Sequence, residues 1–470
     1  MAGEPLFYAS IAELGKLFRS RKLSPLELTR LFLERIRQIN PRLNAYITVC
    51  EDTALELAQR AEIAFARKGR GTARRDLGPL HGIPISLKDN IYTKDVRTTG
   101  GSRILHEFVP LHDASIVSAL KNAGVVILGK TNLHEFAYGV TTDNPHFGPT
   151  RNPWDLARIP GGSSGGSAAA LAAGLCCGSI GTDTGGSIRI PAALCGVVGF
   201  KPGLGRVKTD GVIPLSPTLD FVGPMARTVA DVSLLLEPAF IRHHREKPFR
   251  LSYKSRPFTL GIPKEFFFDV VDDQIEAVFE SALKLLKKRG HKFKFVSIPH
   301  LTESEVAGNH IAWAEATLYH QQAGWFPSRA SDYGHDVRSR LDMGATVTAV
   351  DYLRARETRE KFTAAFHAAL EDNALDAFVV PTTPIPAPLV GADSTLIHGS
   401  EHPTRALLLR LNRPANLAGV PSITVPCGLT PEGLPVGMQF MAGWTDEPLL
   451  LELAQAFERE YPLPARPELD

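Results

Sequence analysis

The sequence predicts an α/β fold: a mixed, mostly buried central β-sheet covered by helices on both faces. Three observations carry this. First, ASIVSALKNAG, a helical pattern stopped by Gly124, feeds the short apolar run VVILG, and a helix delivering an interior strand is the rhythm of a covered sheet. Second, the rhythm returns later. A strand around Leu260-Gly261-Ile262 precedes a helix from Asp273 to Arg289 with the stripe Ile275, Val278, Phe279, Ala282 and Leu286, and a strand from Lys292 to Ile298 follows. Third, 470 residues with 44% hydrophobic and 22% charged side chains suffice for a large core, yet no apolar run reaches membrane-spanning length.

Taken in order, Ser10 and Glu13 form a capping box, and Leu14, Leu17 and Phe18 give the first helix its buried stripe. Ser24, Pro25 and Glu27 start a second helix, lined by Leu28, Leu31, Phe32 and Ile36 and stopped at Asn40-Pro41. A third, alanine-rich helix is expected over about 51–68, ending in the basic Arg67-Lys68-Gly69-Arg70, with loop to residue 80. Ile83, Ile85 and Leu87 alternate with smaller residues and mark a buried strand ending at Lys88. Asp113 is the expected cap of the next helix. Ser167–Gly174 reads as a tight small-residue helix, Cys176–Gly181 as a strand, and Val197–Phe200 and the segment around Asp220–Pro224 as further strands. Thr228–Leu236 is helical, 303–371 mostly so, and a strand at Leu375–Pro381, a hairpin around Pro431-Glu432-Gly433 and a helix from Glu447 complete the chain. The whole reads as a single domain over 1–470, with a core region at 65–235, a charged connector at 237–258 containing His243 and His244, and a lobe at 259–410 that shapes the pocket.

The net charge of +2 gives no reason to expect a nucleic-acid partner. The first residues break their apolar positions with Glu13, Lys16 and Arg19, a surface-helix pattern unlike a signal peptide. Five cysteines, an odd number without metal-ligand spacing, read as reduced thiols in a cytoplasmic protein. The expectation is therefore no metal, no cofactor and no membrane span. The apolar sides of the first two helices can pack on the core or on a second copy, which leaves a homodimer open.

Pro160–Pro191 reads PGGSSGGSAAALAAGLCCGSIGTDTGGSIRIP and holds two glycine-serine clusters. Such a density of glycine implies backbone that turns sharply or aims its N–H groups at a ligand. Three readings fit. A phosphate loop lacks the lysine that GxxxxGK[ST] requires. Structural packing explains the glycine and alanine but not the hydroxyls. A serine nucleophile with backbone N–H donors uses both, although the GxSxG elbow is missing and no histidine shows diagnostic spacing. Lys88 is the alternative base, because burial at the end of an apolar strand disfavours its charged form and a neutral amine accepts a proton.

Gly82-Ile83-Pro84 through Lys88-Asp89-Asn90, the PGGSSGGSAA run, GTDTGGSIRIPAALCGVVGFKP from Gly181, and the C-terminal NLAGVPSITVPCG and GLPVGMQF resemble the amidase signature family, in the family's order. The resemblance implies a small-molecule amide substrate and a Ser-cisSer-Lys unit. Ser187 is then the nucleophile, Ser163 the bridging serine behind a cis Gly162–Ser163 peptide, and Lys88 the base. It also implies an oxyanion hole from the N–H groups of Thr184, Gly185, Gly186 and Ser187, supporting roles for Ser164, Asp183 and Arg189, and an acyl pocket that includes Tyr138 and Gly139.

Two kinds of relative compete. One is a free-standing amidase; the other is the glutamine-hydrolysing A subunit of the glutamyl/aspartyl-tRNA amidotransferase. Carbamoyl, urea-type and ester hydrolases of the same family are further alternatives. The amidotransferase relative carries an aspartate seven residues before the asparagine of NLAG, where it helps bind the amino acid. This chain has Leu409 there, in RALLLRLNRPANLAG, and a leucine cannot pair with an ammonium. The free amidase is therefore the expectation.

Overall fold

In the computed structural model, described over residues 5–66, 77–242, 249, 256–463 and 465–469, the strands fall in chain order as follows. They are β1 (Tyr46–Val49), β2 (Pro84–Lys88), β3 (Val126–Thr131), β4 (Gly178–Asp183), β5 (Val198–Lys201), β6 (Phe221–Ala226) and β7 (Thr259–Pro263). Then come β8 (Lys292–Val296), β9 (Ala377–Pro381), the hairpin pair β10 (Ser394–Ile397) and β11 (Ser400–Pro403), β12 (Ser422–Leu429) and β13 (Pro435–Met441). All but β10 and β11 join one eleven-stranded sheet ordered β1-β3-β2-β4-β6-β5-β12-β13-β9-β7-β8. It is mixed: β2 runs parallel to β3 and β4, and β7 parallel to β8 and β9, while the pairs from β4 through β13 to β9 are antiparallel. Helices flank this sheet, and every residue of β2, β3, β4, β6 and β9 is buried, as near-continuous apolar runs require.

The helix starts follow from side-chain chemistry. Ser10 with Glu13 and Ser24 with Glu27 form complete capping boxes, each satisfying two N–H groups that the helix leaves orphaned. Leu14, Phe18, Leu28, Phe32 and Ile36 from these helices sit in the main core, whereas Leu17 is only half-buried and Leu31, expected on the buried side of the second helix, is 39% exposed. Pro41 does not stop the second helix, which runs on to Leu43. The side chain of Asn40 caps the exit instead, accepting the N–H groups of Ala45 and Tyr46 at 2.8 and 2.9 Å. Asp113 is not a helix cap. It accepts the Lys94 N–H at 2.7 Å and Lys121 Nζ at 2.8 Å, and the helix begins at Ser115 without a side-chain cap.

The small-residue helix is Gly165–Ala172, entirely buried, and its strand β4 begins two residues later than the apolar run suggests. The stretch 303–371 resolves into helices Glu303–Gln322, His335–Ala345 and Ala349–Asp372. Two short helices, Thr404–Arg410 and Arg413–Leu417, follow the small hairpin; their apolar positions face inward while Arg405 and Arg413 stay close to a cavity. The basic segment 67–70 and most of the connector at 237–258, including His243 and His244, lie outside the described residues.

Candidate active site

Strand β2 ends at Lys88, and the parallel register with β4 sets that end beside Thr182 and the turn that follows. The Lys88 side chain is wholly buried. Its Nζ is hydrogen-bonded at 2.7 Å to Ser163 Oγ and at 2.7 Å to Thr182 Oγ1. Burial is the dominant influence on this amine and pushes it down to about 7, against the opposing pull of Asp183 and Asp220. Near neutral pH a neutral Lys88 can therefore donate to Thr182 and accept from Ser163.

Ser163 follows a cis Gly162–Ser163 peptide and precedes the helix Gly165–Ala172. Glycine is required around it. A Cβ on Gly162 would lie 2.9 Å from the Thr141 and Thr142 amide nitrogens, and one on Gly166 only 2.4 Å from Asn132 O. Ser164 ties the two glycine-serine turns together: its N–H donates to Ser187 O at 3.2 Å, and its Oγ donates to Thr182 O at 3.2 Å.

The second turn, 183–188, is shaped by Asp183. Its carboxylate accepts the N–H groups of Gly186 (2.8 Å) and Ile188 (3.1 Å), both Arg189 Nε and Nη2 at 3.0 Å, and Asn416 Nδ2 at 2.8 Å. Burial alone would raise this carboxyl, but the Arg189 guanidinium and these donors hold it well below the usual carboxylate range. Because Gly186 gives its N–H to Asp183, it is not free to face a substrate. Thr184, Gly185 and Ser187 are the amides of the turn not drawn to that carboxylate. Ser187 and Thr184 remain 4% and 5% exposed, whereas Lys88 and Ser163 are fully enclosed, so the turn forms the wall and the amine lies behind it.

That wall borders a small cavity of about 30 Å³, lined by Tyr138, Gly139, Thr184, Gly185 and Ser187 on one side and Arg405, Leu409 and Arg413 on the other. The expected Tyr138 and Gly139 are thus brought to Ser187. The Tyr138 hydroxyl is buried with no partner among the described residues and is pushed up to about 12 by that burial. Gly139 also lets His134 approach, since a Cβ there would lie 2.2 Å from the imidazole. Four contributors escaped the motif reading. Thr182 and Asp220 hold Lys88 and Thr184, the latter through Thr184 Oγ1 donating to Asp220 Oδ1 at 2.5 Å. Arg405 and Arg413 come from a segment that reads simply as apolar. The signal for Thr182 is its place one residue before Asp183 on a strand paired with β2; Asp220 precedes Phe221, the residue opposite Asp183.

Fold and geometry together define a class: an α/β enzyme in which a buried lysine amine is hydrogen-bonded to one serine, and the next residue of the chain is hydrogen-bonded to the backbone of a second serine that borders a cavity. A family model described as Amidase matches residues 27–451, and the chain belongs to this family of amide-bond hydrolases. It is 36% identical over 487 residues to the A subunit of glutamyl-tRNA(Gln) amidotransferase from Sulfurihydrogenibium sp. (strain YO3AOP1), covering 96% of this chain and 97% of that protein. Among solved structures it resembles a crystal structure of an amidase (TM-score 0.87, 32% identity, 96% of this chain and 100% of that one). It also resembles the corresponding glutamyl-tRNA(Gln) amidotransferase chain of Thermotoga maritima (TM-score 0.81, 34% identity, 100% of both chains). Relatives named for a tRNA substrate overturn the expectation of no nucleic-acid partner. That expectation rested on a net charge averaged over 470 residues, which says nothing about a local surface or an RNA brought by another protein of an assembly. Among the described residues no helix is long and apolar enough to cross a membrane.

Proposed function

We propose that this chain hydrolyses a carboxylic amide through an acyl-enzyme on Ser187, and that it does so as the glutamine-hydrolysing component of a tRNA-dependent amidotransferase. The chemistry rests on one observation: the buried Lys88 Nζ at 2.7 Å from Ser163 Oγ, with the next residue, Ser164, donating its N–H to Ser187 O at 3.2 Å. Neutral Lys88 takes the Ser163 proton as Ser163 takes that of Ser187, and Ser187 Oγ attacks the amide carbonyl. The N–H groups of Thr184, Gly185 and Ser187 meet the oxygen as it becomes negative. The proton returns through Ser163 to the leaving ammonia, and a water activated by the same route cleaves the ester. In this reading the lobe at 259–410, extended to Arg413, forms the substrate side of the pocket.

The amidotransferase assignment is supported by likeness along nearly the full length of proteins of that name. One observation favours a second reading, the free-standing amidase: Leu409, in the place of the ammonium-binding aspartate, packs against the nucleophile turn, 3.1 Å from a Cβ built on Gly185. The two are separated by measuring ammonia release from glutamine and from simple amides, by the chain alone and when co-expressed with the other components of a tRNA-dependent amidotransferase and given glutamylated tRNA. Glutamine turnover that rises with partners and tRNA is the expected outcome. Turnover of simple amides by the chain alone, with glutamine ignored under every condition, would overturn the amidotransferase reading.

A further inference from the structure

In the proposed reaction Lys88 gains a proton, and the charge it then carries is formed inside the protein, where water screens it little. Two carboxylates favour that charge, Asp183 the more strongly and Asp220 the less. They are not equivalent. Asp183 is locked to Arg189 at 3.0 Å, so that pair carries no net charge. Asp220 pairs with no cation among the described residues. Its donors are all neutral: Thr184 Oγ1 at 2.5 Å and the N–H groups of Leu215 and Ser216 at 2.9 and 3.1 Å.

The strand geometry sets base and acid close together. Thr182 lies in β4 and Thr184 follows two residues later; alternate side chains of an extended chain share a face, about 6–7 Å apart. Lys88 Nζ is bound to Thr182 Oγ1 at 2.7 Å and Asp220 to Thr184 Oγ1, so the two groups hang from neighbouring hydroxyls of one segment. The partner strand keeps the acid there, because Asp183 pairs with Phe221, the residue after Asp220. On its outer side the loop 215–220 is tied to Glu315 of the helix Glu303–Gln322, which accepts Ser216 Oγ at 2.6 Å, Thr218 Oγ1 at 2.7 Å and the Tyr352 hydroxyl at 2.9 Å. Arg356 and Arg359 of the helix Ala349–Asp372 act on Glu315 in turn. Burial pushes Asp220 up to about 7, against its three donors and with a further push from Glu315, so Asp220 and Lys88 titrate over the same range.

We propose that Asp220 is a positioning residue that acts through Lys88: its carboxylate is the net negative charge that steadies the ammonium formed as Ser187 attacks, and it sets how tightly Lys88 holds a proton. In that step Ser187 Oγ bonds to the carbonyl carbon and the carbonyl π-electrons pass to oxygen, while the Ser187 proton moves to Ser163 and the Ser163 proton to Lys88. This role rests on the Lys88–Ser163–Ser187 route of the proposed function. An opposite charge favours the protonated amine, so without the Asp220 charge the neutral base persists to lower pH. Glu315 has the opposite sign: without its charge Asp220 stays ionised to lower pH, and Lys88 holds its proton more tightly.

The test needs no known amide. Methanesulfonyl fluoride modifies a serine as the Oγ–S bond forms and the S–F bond breaks, with fluoride leaving and the proton passing to the base. The rate of Ser187 modification in the full-length protein, followed by mass spectrometry from about pH 5 to 9, reports the acid limb. For Asp220→Asn the limb is expected to move to lower pH by about half a pH unit or more, whereas Asp220→Glu holds it near the wild-type position even where the rate falls. Glu315→Gln is expected to move it to higher pH. Circular dichroism and Tm matched to the wild type exclude misfolding. If Asp220→Asn does not fold, Glu315→Gln decides: a limb moved to higher pH supports the role, and an unmoved one overturns it. A limb that stays in place in folded Asp220→Asn, whatever the rate, would overturn the role and leave Asp220 as a strut for Thr184. A wild type left unmodified at Ser187, or Lys88→Ala modified as fast as the wild type, would overturn the proton route itself and this role with it.

Discussion

In the proposed mechanism, Lys88 is the residue on which the chemistry turns. Its amine is held down to about 7, so the base-competent neutral form dominates above that pH and is lost below it. Amide hydrolysis should accordingly decline about tenfold per pH unit below neutrality, as a pH profile of kcat/KM would reveal, and a profile flat from about pH 5 to 8 would contradict the lysine base. Ser187→Ala and Lys88→Ala should each cost on the order of 10⁴-fold or more in ammonia release, because the residues act as a unit. Asp183 has a different task. Replacing it by asparagine would leave the buried Arg189 guanidinium uncompensated, at a cost of about 3–5 kcal/mol in a denaturant titration. Its depressed carboxyl also sets a sign. The stabilisation it supplies is complete above the ordinary carboxylate range and disappears only as pH falls through its lower folded value.

Among elements, the helix Gly165–Ala172 places Ser163 and Ser164 at its start and lies against backbone that leaves no room for a side chain at Gly166. Gly166→Ala should overpack this contact and destabilise the protein by about 1–3 kcal/mol, with a loss of activity as the turn shifts; chemical denaturation and ammonia release would check both. This element was legible in the sequence because the glycine-serine run is local and its composition has few other uses. Strand β2 was legible for a similar reason: alternation and a terminal lysine within a few residues. Strand β1 and the hairpin β10–β11 were not, since four-residue strands at an edge or on the surface bury too little to leave a pattern. Asp220 and Arg405 were hidden for another reason. Each acts only through a partner far away in sequence, Thr184 in one case and the cavity at Ser187 in the other, and a single sequence carries no sign of such pairing.

Across the whole molecule, the catalytic half is finished by the last quarter of the chain. Arg189, which grips Asp183, also donates to Asn412 O at 2.9 Å, Gln439 Oε1 at 2.5 Å and Asn416 Oδ1 at 2.5 Å, so β13 and the helix Arg413–Leu417 clamp the nucleophile turn from behind. Gln439→Ala should lower both Tm and kcat, since it unpairs buried donors on Arg189 and leaves Ser422 Oγ without its acceptor at 2.8 Å. A Gln439→Ala enzyme with unaltered Tm and kcat would show the clamp to be dispensable. The clamp bears on biosynthesis too. A nascent polypeptide that has emerged as far as residue 400 already holds Lys88, Ser163 and Ser187, yet Arg189 still waits for three of its acceptors. The turn 183–188 is thus clamped only once residues 412–439 have emerged, and ribosome-stalled fragments ending at residue 400 should be inert toward amides.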